Sequence, residues 1–203
     1  RVTVEVKANR EIEIYATTQA MGQGIATSYA QLAVDVFGVS LDNIKIVMGD
    51  SDRGSGFGSA GSRSLFTAGS AVKVAADKTV DKARDLAADA LEVAPVDLEY
   101  LAGAFQVAGT DRRIGLFELA AKQPEGRIFI DSTSSVSGPT WPNGCHIAEV
   151  EIDPETGVVD FLSYIACDDA GVIINHQLVE GQHQEGAVHG FRMDVRGVDE
   201  DQL

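Results

Sequence analysis

Basic residues are scarce in this chain: 16 Lys and Arg stand against 31 Asp and Glu, a formal charge of −15, and they gather nowhere into a patch. Without a cationic surface, nucleic acid and anionic membrane are poor partners. No apolar run approaches the ~18 residues of a membrane span, and no charged start followed by an apolar stretch suggests a signal peptide. There are only 2 cysteines, Cys145 and Cys167, on the arms of a predicted hairpin around Asp153 to Gly157. If Ile152 pairs with Val158, Cys145 faces Ile165 and Cys167 lies one diagonal away, at the roughly 7 Å edge of disulfide geometry. The expectation is two free thiols in a reducing compartment, the cytoplasm. The chain also lacks an initial Met. It opens on Arg1 directly into a strand pattern, which reads as a processed or excised piece.

What is present suits an ordinary globular protein: 203 residues, 44% hydrophobic, with a mean hydropathy near zero. That length supports one domain or two small ones. Val2 to Val6 and Glu11 to Thr17 alternate at period two and read as a hairpin. Ile25 to Phe37 changes to helical period, with Tyr29, Leu32, Ala33 and Val36 on one face and Gly38 as a stop. Asn43 to Asp50 predicts a short buried strand, and Ser64 to Ala90 a long helix whose small residues suit close packing on a sheet. A second half follows, with strands near Leu98 to Leu101 and Ala104 to Val107 and a short helix near Ile114 to Ala121. Further strands flank the DPETG turn, and a last helix covers Leu178 to Gly190. The fold class expected is α+β, mixed sheets packed against helices, in two lobes of about 1–92 and 93–203.

Two glycine-rich tracts dominate the pattern, MGQG at Met21 to Gly24 and GSGFGSAGSRS at Gly54 to Ser64. GFGSAG formally satisfies a dinucleotide-binding fingerprint. That fold needs its first glycine directly after the strand and an acidic residue ending the next strand. Here Gly56 lies eight positions beyond Met48, and Asp77 and Asp81 fall inside the following helix, so the geometry fails. No Gly-Lys-Ser/Thr follows for a P-loop, and a calcium loop starting at Asp50 would need glutamate where Gly61 stands. No GxSxG occurs. His146, His176, His183 and His189 have no zinc-ligand spacing with either cysteine, and the adjacent Asp168 and Asp169 would point in different directions.

What survives is a binding surface without its own chemistry. Gln23, between Gly22 and Gly24 at a helix start, offers an amide that both donates and accepts while the backbone approaches closely. Ser62 and Ser64 flank Arg63 at the next helix start, with hydroxyls, backbone N–H groups and a helix dipole suited to a phosphate. The plainer alternatives are N-capping by the serines and an ordinary helix entry at Gln23.

MGQG, GDSDRGSGFGSAGSRSLFTAGSAV, HIAEVEIDPETG, DDAGVIIN and VEGQHQEGAVHG, in this order, resemble the molybdopterin-binding large subunit of the xanthine dehydrogenase, aldehyde oxidase and aerobic carbon monoxide dehydrogenase family. The match runs from about Val2 to Gly190. The resemblance implies a two-lobed molybdenum cofactor-binding domain whose pterin, in bacteria usually a cytosine dinucleotide, holds the metal while the protein supplies hydrogen bonds. It implies Gly22, Gln23 and Gly24 at the cofactor, Gly61 beside the metal's oxygen ligands, Ser62, Arg63 and Ser64 along the pterin and phosphate, and Gln182 in the last motif. Iron–sulfur and FAD groups on partner subunits would carry electrons away, and the remainder of the large subunit would supply the substrate pocket. Substrates in such a family are aldehydes, N-heterocycles, purines or carbon monoxide.

The chain departs from the family at His189, where many relatives have glutamine, and at Glu185-Gly186, where they have two glycines. FRMDVRGVDEDQL after Gly190 matches nothing in the family. The family's general base is a glutamate in a Gly-Glu pair, and no such pair occurs here. The expectation is a fragment of an oxidoreductase that is inactive by itself. The alternative is a non-catalytic structural or assembly module of the same fold without cofactor.

Overall fold

The structure, a computed structural model, describes residues 1–56, 58–138, 140–141 and 143–195, with side chains as far as 187. It divides into two compact units, Arg1–Gly138 and Pro139–Leu203.

In the first unit, β1 (Val2–Lys7) and β2 (Ile12–Ala16) form the expected antiparallel hairpin, with Val4 opposite Ile14. The chain then turns through α1 (Ile25–Phe37), which ends where Gly38 adopts φ 60° and donates its N–H to Val34 O. That helix is a crossover, because β3 (Ile44–Met48) returns parallel to β2. Parallel neighbours cannot be joined by a tight turn. A π-helical turn, Leu65–Gly69, leads into α2 (Ser70–Leu91), whose buried Ala71, Ala75, Ala76, Ala83 and Ala87 allow close approach to the sheet. The small strands β4 (Leu98–Leu101), β5 (Ala104–Val107) and β6 (Arg113–Gly115) make an antiparallel sheet, followed by α3 (Leu116–Ala121). β7 (Arg127–Ser132) then joins the first sheet beside β1, giving the order β3-β2-β1-β7.

The fold is therefore α+β with a mixed sheet packed on helices, as expected, but the division differs. The pattern along the chain predicts a boundary near residue 92, whereas the structure divides after Gly138. β7 pairs with β1 along its whole length, Val4 facing Ile130, so the segment beyond α2 shares the core of the segment before it. Phe105, Leu116, Leu119 and Ile128 lie in one cluster with Ile12, Ile14, Tyr29 and Phe37. Each large apolar side chain so buried contributes about 1.5 to 3 kcal/mol.

Period-two alternation in β2 implies one solvated face, yet all five of its residues are buried, Glu13 included at 5% exposure. β2 is an interior strand of the sheet, and its second face is covered by side chains from β1, β3 and the loop after β3.

The second unit contains β8 (Asn143–Ile152), β9 (Val159–Asp169) and α4 (His176–Val195). The hairpin register differs from the expected one: Ile152 faces Val159, and a bulge between Glu149 and Val150 shifts the remainder. Cys145 consequently lies directly opposite Cys167 instead of on a diagonal. Both thiols are free. No helix among the described residues is long and apolar enough to cross a membrane.

Candidate functional site

The two glycine tracts meet in the first unit. The turn from Thr17 to Gly24 follows β2, and the loop from Gly49 to Ser64 follows β3, so the parallel pairing of these strands places both tracts at the same end of the sheet. Ser59 joins them: Gln19 N–H donates to Ser59 Oγ at 3.1 Å, and Ser59 Oγ–H donates to Gln19 O at 2.6 Å. The same Gln19 carbonyl accepts from Gln23 Nε2 at 3.2 Å, while Gln23 Oε1 accepts from Met21 N–H at 2.6 Å. The Gln23 amide thus braces its own turn in both senses. One further N–H and one lone pair remain on it.

The base of the second loop is equally tied. Tyr15 Oη lies 2.9 Å from Asp50 O and 3.2 Å from Gly54 O. Arg53 donates to buried Glu13 at 2.5 Å and reaches Asp50 at 3.2 Å. Lys7 and Lys45 also contact Glu13, at 3.0 and 3.1 Å. Burial pushes the Glu13 pKa up, but the hydrogen bonds from Arg53, Lys7 and Lys45 outweigh it and hold the carboxyl at about 2. At the far end Tyr29, from α1, donates to Ser64 O at 3.1 Å and lies 3.1 Å from Thr18 Oγ1. Gly56 is a close approach, since a Cβ there would fall 2.4 Å from Thr17 Cβ.

Against this frame the predicted residues fall as follows. Gly22, Gly24 and Gly61 all have positive φ, at 91°, 74° and 63°, and a Cβ on Gly22 or Gly61 would meet nothing within 4 Å. Those two positions border open space. Gly61, Ser62 and Arg63 are exposed and Ser64 is half-buried. Neither serine hydroxyl makes a hydrogen bond within the described residues, and the Ser64 side chain does not cap the helix that follows, so the capping alternative fails there. Ser62 sits at φ 52°, uncommon for a residue with a side chain. Two hydroxyls without a partner among the described residues, a spare amide N–H and unobstructed glycine backbone leave hydrogen-bonding groups open to a large polar ligand. Among the described residues no group of three or more His, Cys, Asp or Glu could hold a metal. A ligand that brings its own metal chelate is compatible with such a lining.

Gln182 belongs to the second unit, on α4, where its Nε2 donates to Glu185 Oε2 at 3.3 Å. Glu185 lies on the same helix, within the span the sequence pattern predicts as helical. The side chain of His189 lies outside the described residues, as does the end of the unmatched segment from residue 196 on. Gln19, Ser59, Tyr29 and Glu13 organise the site without any signal in the sequence pattern, because each acts through a partner 11 to 40 positions away.

A mixed sheet with two braced glycine loops at one end, lined by hydrogen-bond donors and with no metal-ligand cluster among the described residues, defines an α+β domain with a polar binding face. The chain belongs to the molybdopterin cofactor-binding domain family, whose model matches residues 1–193. It is 35% identical over 198 residues to the 6-hydroxypseudooxynicotine dehydrogenase complex subunit gamma of Paenarthrobacter nicotinovorans, covering 93% of this chain and 25% of that protein. To the carbon monoxide dehydrogenase large chain of Afipia carboxidovorans it is 36% identical over 183 residues, 86% of this chain and 23% of the relative. Among solved structures, reconstituted CO dehydrogenase from Oligotropha carboxidovorans superposes with a TM-score of 0.84 at 33% identity, over 94% of this chain and 25% of that one. Quinoline 2-oxidoreductase from Pseudomonas putida 86 gives 0.78 at 28% identity, over 91% and 25%. The chain thus spans about a quarter of the length of the relatives it matches.

Proposed function

We propose that this chain is the cofactor-cradling part of a molybdenum hydroxylase large subunit, acting on an aldehyde, an N-heterocycle or carbon monoxide. The observation that carries the reading is the Ser59–Gln19 link, which holds two donor-rich glycine tracts together around open space. When bound, the pterin-held molybdenum, in its cytosine dinucleotide form, supplies the redox chemistry. The chain's own part is binding and orientation. Gly22, Gly24 and Gly61 let the backbone approach, Gln23 contributes its spare N–H, and Ser62 and Ser64 donate toward phosphate and pterin oxygens. Arg63 adds positive charge on the same loop, and the family resemblance also assigns Gln182, on α4 of the second unit, to cofactor binding. Relatives described as a large chain and as a subunit of a dehydrogenase complex support partner subunits; the family resemblance makes these an iron–sulfur and an FAD subunit, with the remainder of the large subunit completing the pocket. The cytoplasm suits such an assembly.

The test is molybdenum content per folded subunit when the complete subunit is produced with the sequence that flanks this chain. Gln23→Ala should lower it, and a Ser62→Ala, Ser64→Ala double change should lower it more, since hydrogen bonds to a charged phosphate are worth up to ~3 kcal/mol and neutral ones about 1. Unchanged content in all variants would overturn the assignment. The chain by itself should show no hydroxylase turnover with a dye acceptor, because it has no Gly-Glu pair to supply the base. A second reading, a non-catalytic module of the same fold, is favoured by Glu185, which occupies the Gln182 amide. A complete subunit that folds without molybdenum would support it.

A further inference from the structure

The glycine tracts follow β2 and β3. At the opposite end of the same parallel pair, Arg10 and Asn43, which precede these strands, line a cavity of about 580 Å³. It lies wholly within the first unit, and its volume falls in the range of roughly 300 to 1,000 Å³ usual for small-molecule sites.

Close packing fixes one wall, where the chain leaves α1 and where β4 turns into β5. Gly38 and Gly103 have φ 60° and 75°; a Cβ on Gly38 would fall 3.1 Å from Ala102 Cα, and one on Gly103 would fall 3.0 Å from Val39 Cγ1. Leu116 N–H donates to Gly103 O at 2.8 Å, which ties the start of α3 to the same turn. Val39, Ala104 and Phe117 give the lining its apolar part.

Two arginines supply the polar part. Arg1, Arg53, Arg84, Arg112 and Arg127 each donate to a carboxylate or a backbone carbonyl. The side chains of Arg10 and Arg113 donate to nothing among the described residues, and both residues line this cavity. On β6 the buried Ile114 faces the core, so its neighbour Arg113 falls on the exposed face. Arg10 holds φ 70°, a left-handed conformation uncommon for a residue with a side chain. Asn43 Nδ2 donates to its carbonyl at 2.8 Å, and its guanidinium Cζ lies 5.9 Å from the centre of the Phe117 ring. Glycine would satisfy that backbone without strain, whereas arginine keeps a guanidinium beside the aromatic wall. Among the described residues the lining holds one carboxylate, Glu118, which is paired with Lys122 at 3.3 Å.

A guanidinium fork matches a carboxylate through two parallel N–H bonds, and apolar surface beside it favours an organic body over a bare inorganic ion. We propose that this cavity binds a small organic carboxylate, its charged end on Arg10 and Arg113 and its apolar body against Val39, Ala104 and Phe117. The site is separate from both glycine tracts and does not rest on the cofactor assignment.

The test uses the 203-residue chain with benzoate as the probe, read by equilibrium dialysis and by amide exchange. Benzoate should bind saturably, one per chain. Benzamide, which has the shape without the charge, and acetate, which has the charge without the ring, should each bind about 10-fold more weakly or worse. Arg10→Gln and Arg113→Gln should each weaken benzoate roughly 10- to 100-fold, the range for a hydrogen bond between charged groups. Arg113→Lys, which keeps the charge and loses the fork, should recover only part of that loss. The unfolding midpoint of Arg113→Gln should match the native chain, because that side chain has no donor contact to lose; if Arg10→Gln disturbs its turn, Arg113→Gln carries the comparison. Bound benzoate should slow amide exchange at 38–43, 102–104 and 113–118 and leave 17–24 and 54–64 unchanged. Absent saturable binding, equal affinity for benzamide or for acetate, or native affinity in Arg113→Gln would overturn the proposal. So would slowed exchange confined to the glycine tracts, which would move the carboxylate to the other end of the sheet.

Discussion

Ser59 and Gln19 exchange two hydrogen bonds, N–H to Oγ at 3.1 Å and Oγ–H to carbonyl at 2.6 Å, across forty positions of chain. The Gln19 carbonyl is shared with Gln23, so a single peptide couples the turn that carries the candidate glutamine to the loop that carries the candidate serines.

Ser59→Ala should release that coupling. Two neutral, partly solvated bonds are worth about 1 kcal/mol together at the lower end of the usual range. Urea unfolding should show a loss of that order, and amide exchange should quicken from Gly54 to Ser64. Unaltered exchange in the loop would mean that Tyr15 and Tyr29 hold it without help.

Glu13 sets a pH dependence whose sign follows from its pKa, which lies at about 2 in the folded protein against about 4.3 when unfolded. A depressed carboxyl contributes stability that is fully present above the unfolded value and is lost as pH falls through the folded one. The contribution is roughly 2 to 3 kcal/mol. Comparing the native chain with Glu13→Gln should show the largest stability gap above pH ~5, closing toward pH ~2. A gap independent of pH across that window would assign the effect to packing instead of charge.

Cys145 and Cys167 are direct cross-strand partners. Such partners have Cα atoms about 4.5 to 5.5 Å apart, inside the range a disulfide can bridge. Mild oxidation with diamide should remove both thiols within a monomer, and Cys167→Ser should abolish that product. Thiols that persist, or that react only between chains, would contradict the bulged register.

The second unit exposes Ile147, Ile152, Leu162 and Ile165, each more than half accessible. A two-stranded hairpin is marginal without a covered apolar face. The chain by itself should therefore self-associate at physiological salt, where its charge of −15 is screened over ~8 Å. Light scattering that reports a monomer at every concentration would count against this.

Much of the fold is legible along the chain because it is local. The helical period from Ile25 to Phe37 and the stop at Gly38 match α1, and the strands at Leu98 and Ala104 fall where alternation and turn residues put them. The glycine tracts and their order identify the family in the same way. Local pattern cannot tell which strand a strand will meet. The parallel return of β3 to β2 and the arrival of β7 beside β1 move the unit boundary from near residue 92 to Gly138 and bury Glu13 on a strand whose alternation promised solvent. A one-residue shift at the turn and one bulge residue together turned the cysteine diagonal into a direct pair.

The sequence by itself determined the secondary structure's main periods, the open glycine turns and the membership of a cofactor-binding family, since each depends on residues within a few positions of one another. Tertiary structure alone decided that Ser59 meets Gln19, that Arg53 meets Glu13 and that Asp168 lies over Gly144 between two histidines. Those pairings join groups 15 to 40 positions apart, some of them through a bulged register, and contacts of this kind form only once the fold has brought their ends together.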